Sequence, residues 1–294
     1  MEQWRRIASH IAQTTGTAFA AVRAHNIAGG CINNAVVLEG ERGRYFVKRN
    51  NKDLLPMFEA EAAGLDEILA SNTVRVPRPI CFGVDANSSY LVLEFLPFSR
   101  DGANGSARLG HSLAAMHRCT RANFGWHRDN NIGSTPQLNS PTNSWPMFWR
   151  ERRLGFQLSL AADNGHGGRI QKLGEQLMHR LDALFDGHSP AASLLHGDLW
   201  SGNFGVLIDG TPCVFDPATY YGDRETDIAM TELFGGFSDN FYSAYRDAHP
   251  LEAGYAVRKH LYNLYHVLNH LNLFGGGYAR QAERMMEQLL SEVR

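Results

Sequence analysis

The feature that most constrains the fold is a change of pattern near residue 100. Before it come strand-forming segments separated by turn residues. Ala35-Val36-Val37-Leu38, a turn through Gly40 and Gly43, and Arg44-Tyr45-Phe46-Val47-Lys48-Arg49 predict a hairpin over residues 32–50, with Phe46 and Lys48 on one face. A helix is expected over residues 57–70, its apolar face set by Phe58, Ala62, Leu65 and Leu69, and strands at residues 80–84 and 90–96. After residues 97–105 the period turns helical, first through Leu109, Leu113 and Met116. Later come Leu261, Leu264, Leu268 and Leu271, then Ala282, Met285, Met286 and Leu289, in two helices separated by Gly275-Gly276-Gly277. The expectation is an α+β protein of two lobes: residues 1–97 with an antiparallel sheet plus helix, and residues 98–294 mainly helical.

Charge and cysteine usage narrow the function classes. Lys plus Arg total 28 against 30 for Asp plus Glu, so no basic excess would hold the chain on nucleic acid or an anionic membrane. Cys31, Cys81, Cys119 and Cys213 are scattered without a C-x-x-C pair, as suits reduced thiols in the cytoplasm. At the N-terminus Trp4, Ile7 and Ile11 repeat at helical spacing, and the apolar run of a signal peptide is missing. Residues 123–148, rich in Asn, Pro, Ser, Trp and Gly, read as a long ordered loop. Trp126, Trp145 and Trp149 either cover a ligand or pack that loop.

The chemistry concentrates in His196-Gly197-Asp198-Leu199-Trp200-Ser201-Gly202-Asn203 and Asp216-Pro217. Kinases place a catalytic-loop Asp five residues before an Asn, then a metal-binding Asp after a short hairpin, and the order and spacing here match. Val206-Leu207-Ile208 and Val214-Phe215 flank Asp209-Gly210, a two-residue turn signal. Counting outward from that turn places Asn203 opposite Asp216, with Cα atoms about 4.5–5.5 Å apart. Pro212 then falls opposite Leu207, where its missing N–H removes no ladder bond.

A carboxylate and an amide oxygen suit Mg²⁺, and Asp198 is expected to act as the base that accepts a hydroxyl proton. Lys48 is the candidate cation for the phosphates of ATP. Glu61 is its expected partner, since it shares a helix face with Phe58, Leu65 and Ile68, whereas Glu59 lies on the outer side. Gly29 and Gly30 could bring backbone amides near phosphate, and backbone groups of Glu94 and Leu96 could hold adenine at the lobe junction. His266 and His270 have the spacing of a zinc pair, but Val267 stands where a metalloprotease has Glu, and they read as buried, hydrogen-bonded histidines.

The chain resembles the fructosamine kinase (ketosamine 3-kinase) family, an aminoglycoside-phosphotransferase-like branch of the protein-kinase-like superfamily. The matching stretches include Gly29-Gly30-Cys31-Ile32, Met57-Phe58-Glu59-Ala60-Glu61, Asn123-Phe124-Gly125-Trp126 and Asn131-Ile132-Gly133-Ser134-Thr135-Pro136-Gln137. Further on come Phe148-Trp149-Arg150-Glu151-Arg152-Arg153, the segment from Leu195 through Asn203, Phe215-Asp216-Pro217-Ala218, Leu264-Tyr265-His266 and Asn272-Leu273-Phe274-Gly275-Gly276-Gly277. The resemblance implies a two-lobed protein-kinase-like fold and ATP-dependent phosphorylation of the sugar 3-hydroxyl of free or protein-bound fructosamines or ribulosamines, a deglycation or metabolite-repair activity. It implies Asp198 as base, Asn203 and Asp216 as Mg²⁺ ligands and Lys48 on the phosphates. Trp200 is placed to stack on a sugar, and Asp227 resembles the buried Asp that supports the catalytic loop. Asp216-Pro217 replaces the Asp-Phe-Gly of protein kinases, and the ten residues between Asp216 and Asp227 leave no room for a long activation segment. The alternatives are an aminoglycoside- or choline-type phosphotransferase and, from another class, an inactive nucleotide-binding scaffold.

Overall fold

In the strand Ser88–Glu94 five consecutive residues, Ser89 to Leu93, are buried, so this strand must be covered on both faces. The structure, a computed structural model describing residues 4–27, 33–86, 88–99 and 105–293, shows how. The N-terminal part runs α1 (Arg5–Thr15), β1 (Ala21–Ile27), β2 (Asn34–Gly40), β3 (Gly43–Asn51), α2 (Leu55–Ser71), β4 (Pro79–Asp85) and β5 (Ser88–Glu94). The strands form one antiparallel sheet in the order β1-β2-β3-β5-β4. Tyr90 and Val92 pack with Trp4, Ile7 and Ile11 of α1, while Leu91 and Leu93 join Phe58, Ala62 and Leu65 of α2. Lys48 is paired with Leu91 and so shares the face that α2 covers.

The expected hairpin, helix and later strands are present, but β1 was not foreseen. Its residues alternate poorly, and six of its seven are exposed, so the periodic signal of a half-buried strand is missing. Gly29, Gly30 and Cys31 lie outside the described residues.

The C-terminal part is mostly helical, as expected. It contains α3 (Ser106–Met116), β6 (Thr120–Arg121), β7 (Asn130–Ile132), β8 (Thr135–Gln137), α4 (Trp145–Phe148), α5 (Phe156–Asp163) and α6 (Arg169–Arg180). Then come β9 (Ala192–Leu195), β10 (Phe204–Val206), β11 (Pro212–Val214), β12 (Tyr220–Gly222), α7 (Glu225–Leu233), α8 (Asp239–Ala248), α9 (Tyr255–Phe274) and α10 (Tyr278–Glu292). The long loop is ordered, and part of it is the β7–β8 hairpin.

Trp126, Trp145 and Trp149 are all buried, which decides for packing. Beneath them the wholly buried Arg153 has no carboxylate partner among the described residues. It lies over the rings of Tyr220, at 4.1 Å, and Phe148, at 4.6 Å, and donates to the carbonyl of Leu138 and to Asn139 Oδ1, tying the loop to the helices. Among the described residues no helix is long and apolar enough to cross a membrane.

Candidate active site

The segment after β9 is held by a buried carboxylate. Asp227, on α7, accepts from the backbone N–H groups of His196 and Gly197, both at 2.8 Å, and from His117 Nε2 at 3.1 Å. Burial works against its charge, but His117, His196 and the amides outweigh it and hold its pKa below the usual carboxylate value. His196 donates from Nε2 to the carbonyl of Phe215, while its Nδ1 accepts the Asp198 N–H, which fixes the neutral Nε2–H tautomer.

Gly197 has φ +82°, and a Cβ there would lie 2.1 Å from the carbonyl oxygen of Ala218. Gly197→Ala is therefore expected to cost at least about 2 kcal/mol of stability in a urea unfolding experiment, combining left-handed strain with backbone overlap.

Asp198 follows directly. Burial pushes its carboxyl up to about 7, with the charge of Asp216 adding to the effect and the amide of Asn203 opposing it. The Asn203 amide donates both to Asp198 Oδ2, at 3.2 Å, and to the Asp198 carbonyl, at 2.9 Å. Its Nδ2 is thus committed, and no described residue donates to its Oδ1.

The hairpin register differs from the expected one. β10 and β11 pair Phe204 with Val214 and Val206 with Pro212, and the Phe215 N–H bonds the Asn203 carbonyl. Asn203 thus faces Phe215 rather than Asp216, and Pro212 faces Val206 rather than Leu207. The cause is the turn: Gly210 N–H bonds the Leu207 carbonyl, Gly210 adopts φ +79°, and Leu207 N–H bonds the Thr211 carbonyl. This is a type I turn with a glycine bulge, one residue longer than the two-residue turn that Asp-Gly suggested. Asp209 reinforces it by accepting from the Thr211 N–H. Asp216 then stands two residues beyond the strand end, with φ +57°, an unusual backbone for a residue with a side chain.

Asp216 Oδ1 lies 2.5 Å from Lys48 Nζ, which is also 2.6 Å from Glu61 Oε1. One ammonium thus joins the sheet, α2 and the segment after β11. Burial disfavours the Lys48 charge, but the two carboxylates more than offset this and raise its pKa above the ordinary lysine value.

Glu94 and Leu96 do not line the cavity formed here. The Glu94 side chain pairs with Arg75 at 2.6 Å and accepts from the Arg78 N–H.

The cavity has a volume of about 460 Å³, enough for a small-molecule site, and is lined by Lys48, Glu61, Asp198, Asn203 and Asp216 together. Ala35, Phe46 and Met57 give its N-terminal side an apolar wall. Trp200 is also on the lining, 38% exposed, with its ring 6.4 Å from that of Phe234.

Sequence reasoning missed much of the opposite wall: the β7 tip with Gly133, Met230 of α7 with Phe234 just past its end, and a face of α9 carrying His266, Asn269 and His270. Only the helical spacing of His266, Asn269 and His270 hinted at a shared face. His270 is hydrogen-bonded, to the His266 carbonyl, as expected; the His266 ring is buried but bonds no described residue, so that half of the expectation is corrected. The other cluster of metal-ligand type among the described residues, His188, Asp223 and Glu225, is already paired. His188 bridges Asp223 and Glu252, and Arg258 holds Glu225.

The family model for fructosamine kinase matches residues 3–292. The chain belongs to the fructosamine kinase family. A Synechocystis protein named as a probable ketoamine kinase is 49% identical over 98% of this chain and 97% of its own length. The chloroplastic protein-ribulosamine 3-kinase of Arabidopsis thaliana is 41% identical over 94% of this chain and 85% of its own. A crystal structure from Haemophilus somnus, named as a putative fructosamine-3-kinase, superposes with a TM-score of 0.90 at 30% identity, covering 98% of this chain and 97% of that one. Membership brings with it the α+β, kinase-like fold and a phosphotransferase activity toward an alcohol group.

Proposed function

We propose that this fructosamine kinase family member transfers the γ-phosphoryl group of ATP to the sugar 3-hydroxyl of fructosamines or ribulosamines, free or protein-bound, in deglycation or metabolite repair. Residues 1–97 form the nucleotide-binding lobe in this reading, and residues 98–294 carry the catalytic loop and the acceptor site. The unpaired thiols of Cys81, Cys119 and Cys213 suit a cytoplasmic setting.

One observation carries the reading: Lys48, bound by Glu61 and Asp216, shares a cavity with a carboxylate whose pKa is near 7 and an amide oxygen free to take a cation. The donor set fits Mg²⁺, because Asp216 offers a carboxylate, while the hydrogen bonds of Asn203 Nδ2 leave its oxygen as the available ligand. The ion would neutralise charge on the triphosphate. Lys48 holds the phosphates, and Asp198 orients the acceptor hydroxyl and takes its proton as the new O–P bond forms and the bond to the departing ADP oxygen breaks.

An aminoglycoside acceptor is less well served. The only acids on the cavity wall among the described residues are Glu61, Asp198 and Asp216; Glu61 and Asp216 hold Lys48 and Asp198 is the base, which leaves no further acidic lining for a polycation. The test is a panel of fructosamines, ribulosamines and aminoglycosides with ATP, reading the phosphorylated position by NMR. Phosphate on the sugar 3-oxygen is expected, and phosphate on any other atom contradicts the reading.

A further inference from the structure

α2 has two packed faces. Phe58, Ala62 and Leu65 meet the N-terminal sheet, whereas Gly64 and Glu67, one turn apart on another face, meet the C-terminal part. Glu61, which holds Lys48, lies between the two. How α2 is fixed on its second face therefore decides where the Glu61 carboxylate stands.

Glu67 docks on the three-stranded sheet β12-β9-β6, whose central strand ends where the catalytic loop begins. Tyr221 stands opposite Leu194 and Arg121 opposite Ala192. Ala192 and Leu194 are two residues apart on β9, so Tyr221 and Arg121 share one face of that sheet. Glu67 Oε1 accepts from the Tyr221 hydroxyl and from Arg121 Nη2, both at 2.7 Å, and Oε2 accepts from Trp126 Nε1 at 3.4 Å. The Arg121 guanidinium also lies over the Tyr221 ring, at 4.5 Å. Trp126 and Tyr221 are buried, so two of the three donors meet the carboxylate away from bulk water. Burial, with the Glu67 carboxylate adding, pushes the Tyr221 hydroxyl above the ordinary tyrosine value and keeps it a donor. Gly64 makes the second contact. A Cβ there would lie 2.9 Å from Thr219 Oγ1 and 3.2 Å from Thr219 Cβ, so the helix backbone rests on the segment between Asp216 and β12.

Resting on the reading of Lys48 as the cation for the phosphates, we infer that Glu67 is a positioning residue of the phosphoryl-transfer site. It pins α2 to the C-terminal part, so that Glu61 and Asp216 are held together around Lys48 Nζ. Both carboxylates then take their place from one sheet: Glu61 through Glu67, and Asp216 through the short segment that joins it to β12. The same sheet carries the approach to Asp198 on β9. Movement of α2 against that sheet would misplace the ammonium relative to the base.

The experiment uses the full-length protein with Mg-ATP and whichever member of the fructosamine, ribulosamine and aminoglycoside panel it phosphorylates, so the choice of acceptor does not enter the result. Glu67→Leu is expected to lower kcat/KM for ATP about 10-fold, and Glu67→Gln, which keeps an oxygen for Tyr221 and Trp126, to recover most of the loss. Tyr221→Phe, a smaller change to the same anchor, is expected to cost about threefold. In a Glu61→Gln background, where Lys48 has already lost that carboxylate, both changes are expected to cost less than about twofold, because Glu67 acts through Glu61. Losses that multiply independently in the double variants overturn the inference. So does a wild-type kcat/KM for ATP in Glu67→Leu with only the melting temperature lowered. A Glu61→Gln variant with wild-type kcat/KM for ATP overturns the phosphate-site reading itself, and the anchor role with it.

Discussion

Asp198→Ala is expected to lower kcat at least about 1,000-fold while leaving the affinity for Mg-ATP within a few-fold of wild type. The asymmetry follows from geometry. In the proposed mechanism the phosphate-side contacts come from Lys48, with Glu61 and Asp216 fixing it, and none of these touches Asp198 directly. Removing Asp198 deletes the proton acceptor and the partner of the Asn203 amide, while the Asp198 carbonyl still receives that amide at 2.9 Å. Single-turnover phosphoryl transfer and nucleotide titration separate the two effects. Wild-type turnover of a verified substrate would remove Asp198 from the role of base, and a complete loss of nucleotide binding would move it to the phosphate site.

Asp227→Ala is the second large effect. Asp227 is 1% exposed and accepts three hydrogen bonds, two from the backbone that leads into Asp198 and one from His117. Its loss leaves two amide donors and an imidazole N–H without acceptors inside the protein, a cost of about 3–5 kcal/mol. Asp227→Asn keeps the shape but presents an N–H to at least one donor, so it should recover only part. Denaturant unfolding gives the stability change. Kinetics at a temperature where the variant is still folded should show a fall in kcat larger than any rise in KM, because Asp227 positions the base without touching substrate. A variant as stable and as active as wild type would contradict this account of the catalytic loop.

How much of this was legible in the sequence depends on the range of the determining interaction. The facing of Glu61 was, since helical spacing is local and α2 has an unambiguous buried face. So were the strands that alternate, and the joint occurrence of Asp198, Asn203 and Asp216. The register of the β10–β11 hairpin was not, because Asp-Gly serves both a two-residue turn and a type I turn with a glycine bulge, and the choice shifts every pair by one. β1 carries no periodic signal, being an exposed edge. The cavity wall opposite Lys48 was the least legible part. It is assembled from residues 130–133, α7 and α9, segments far apart along the chain, and only tertiary packing brings them together.

The route between the lobes has a consequence of its own. Ile208 N–H bonds the Pro97 carbonyl and Ser99 N–H bonds the Val206 carbonyl, while Phe98 and Leu207 stand opposite each other as an isolated bridge. Residues 97–99 are therefore clipped to the same β10–β11 hairpin that leads into Asp216. Any rotation of the N-terminal sheet and helices against the C-terminal part would have to pivot about that clip or break it, and would thereby be linked mechanically to displacement of the Asp216 carboxylate.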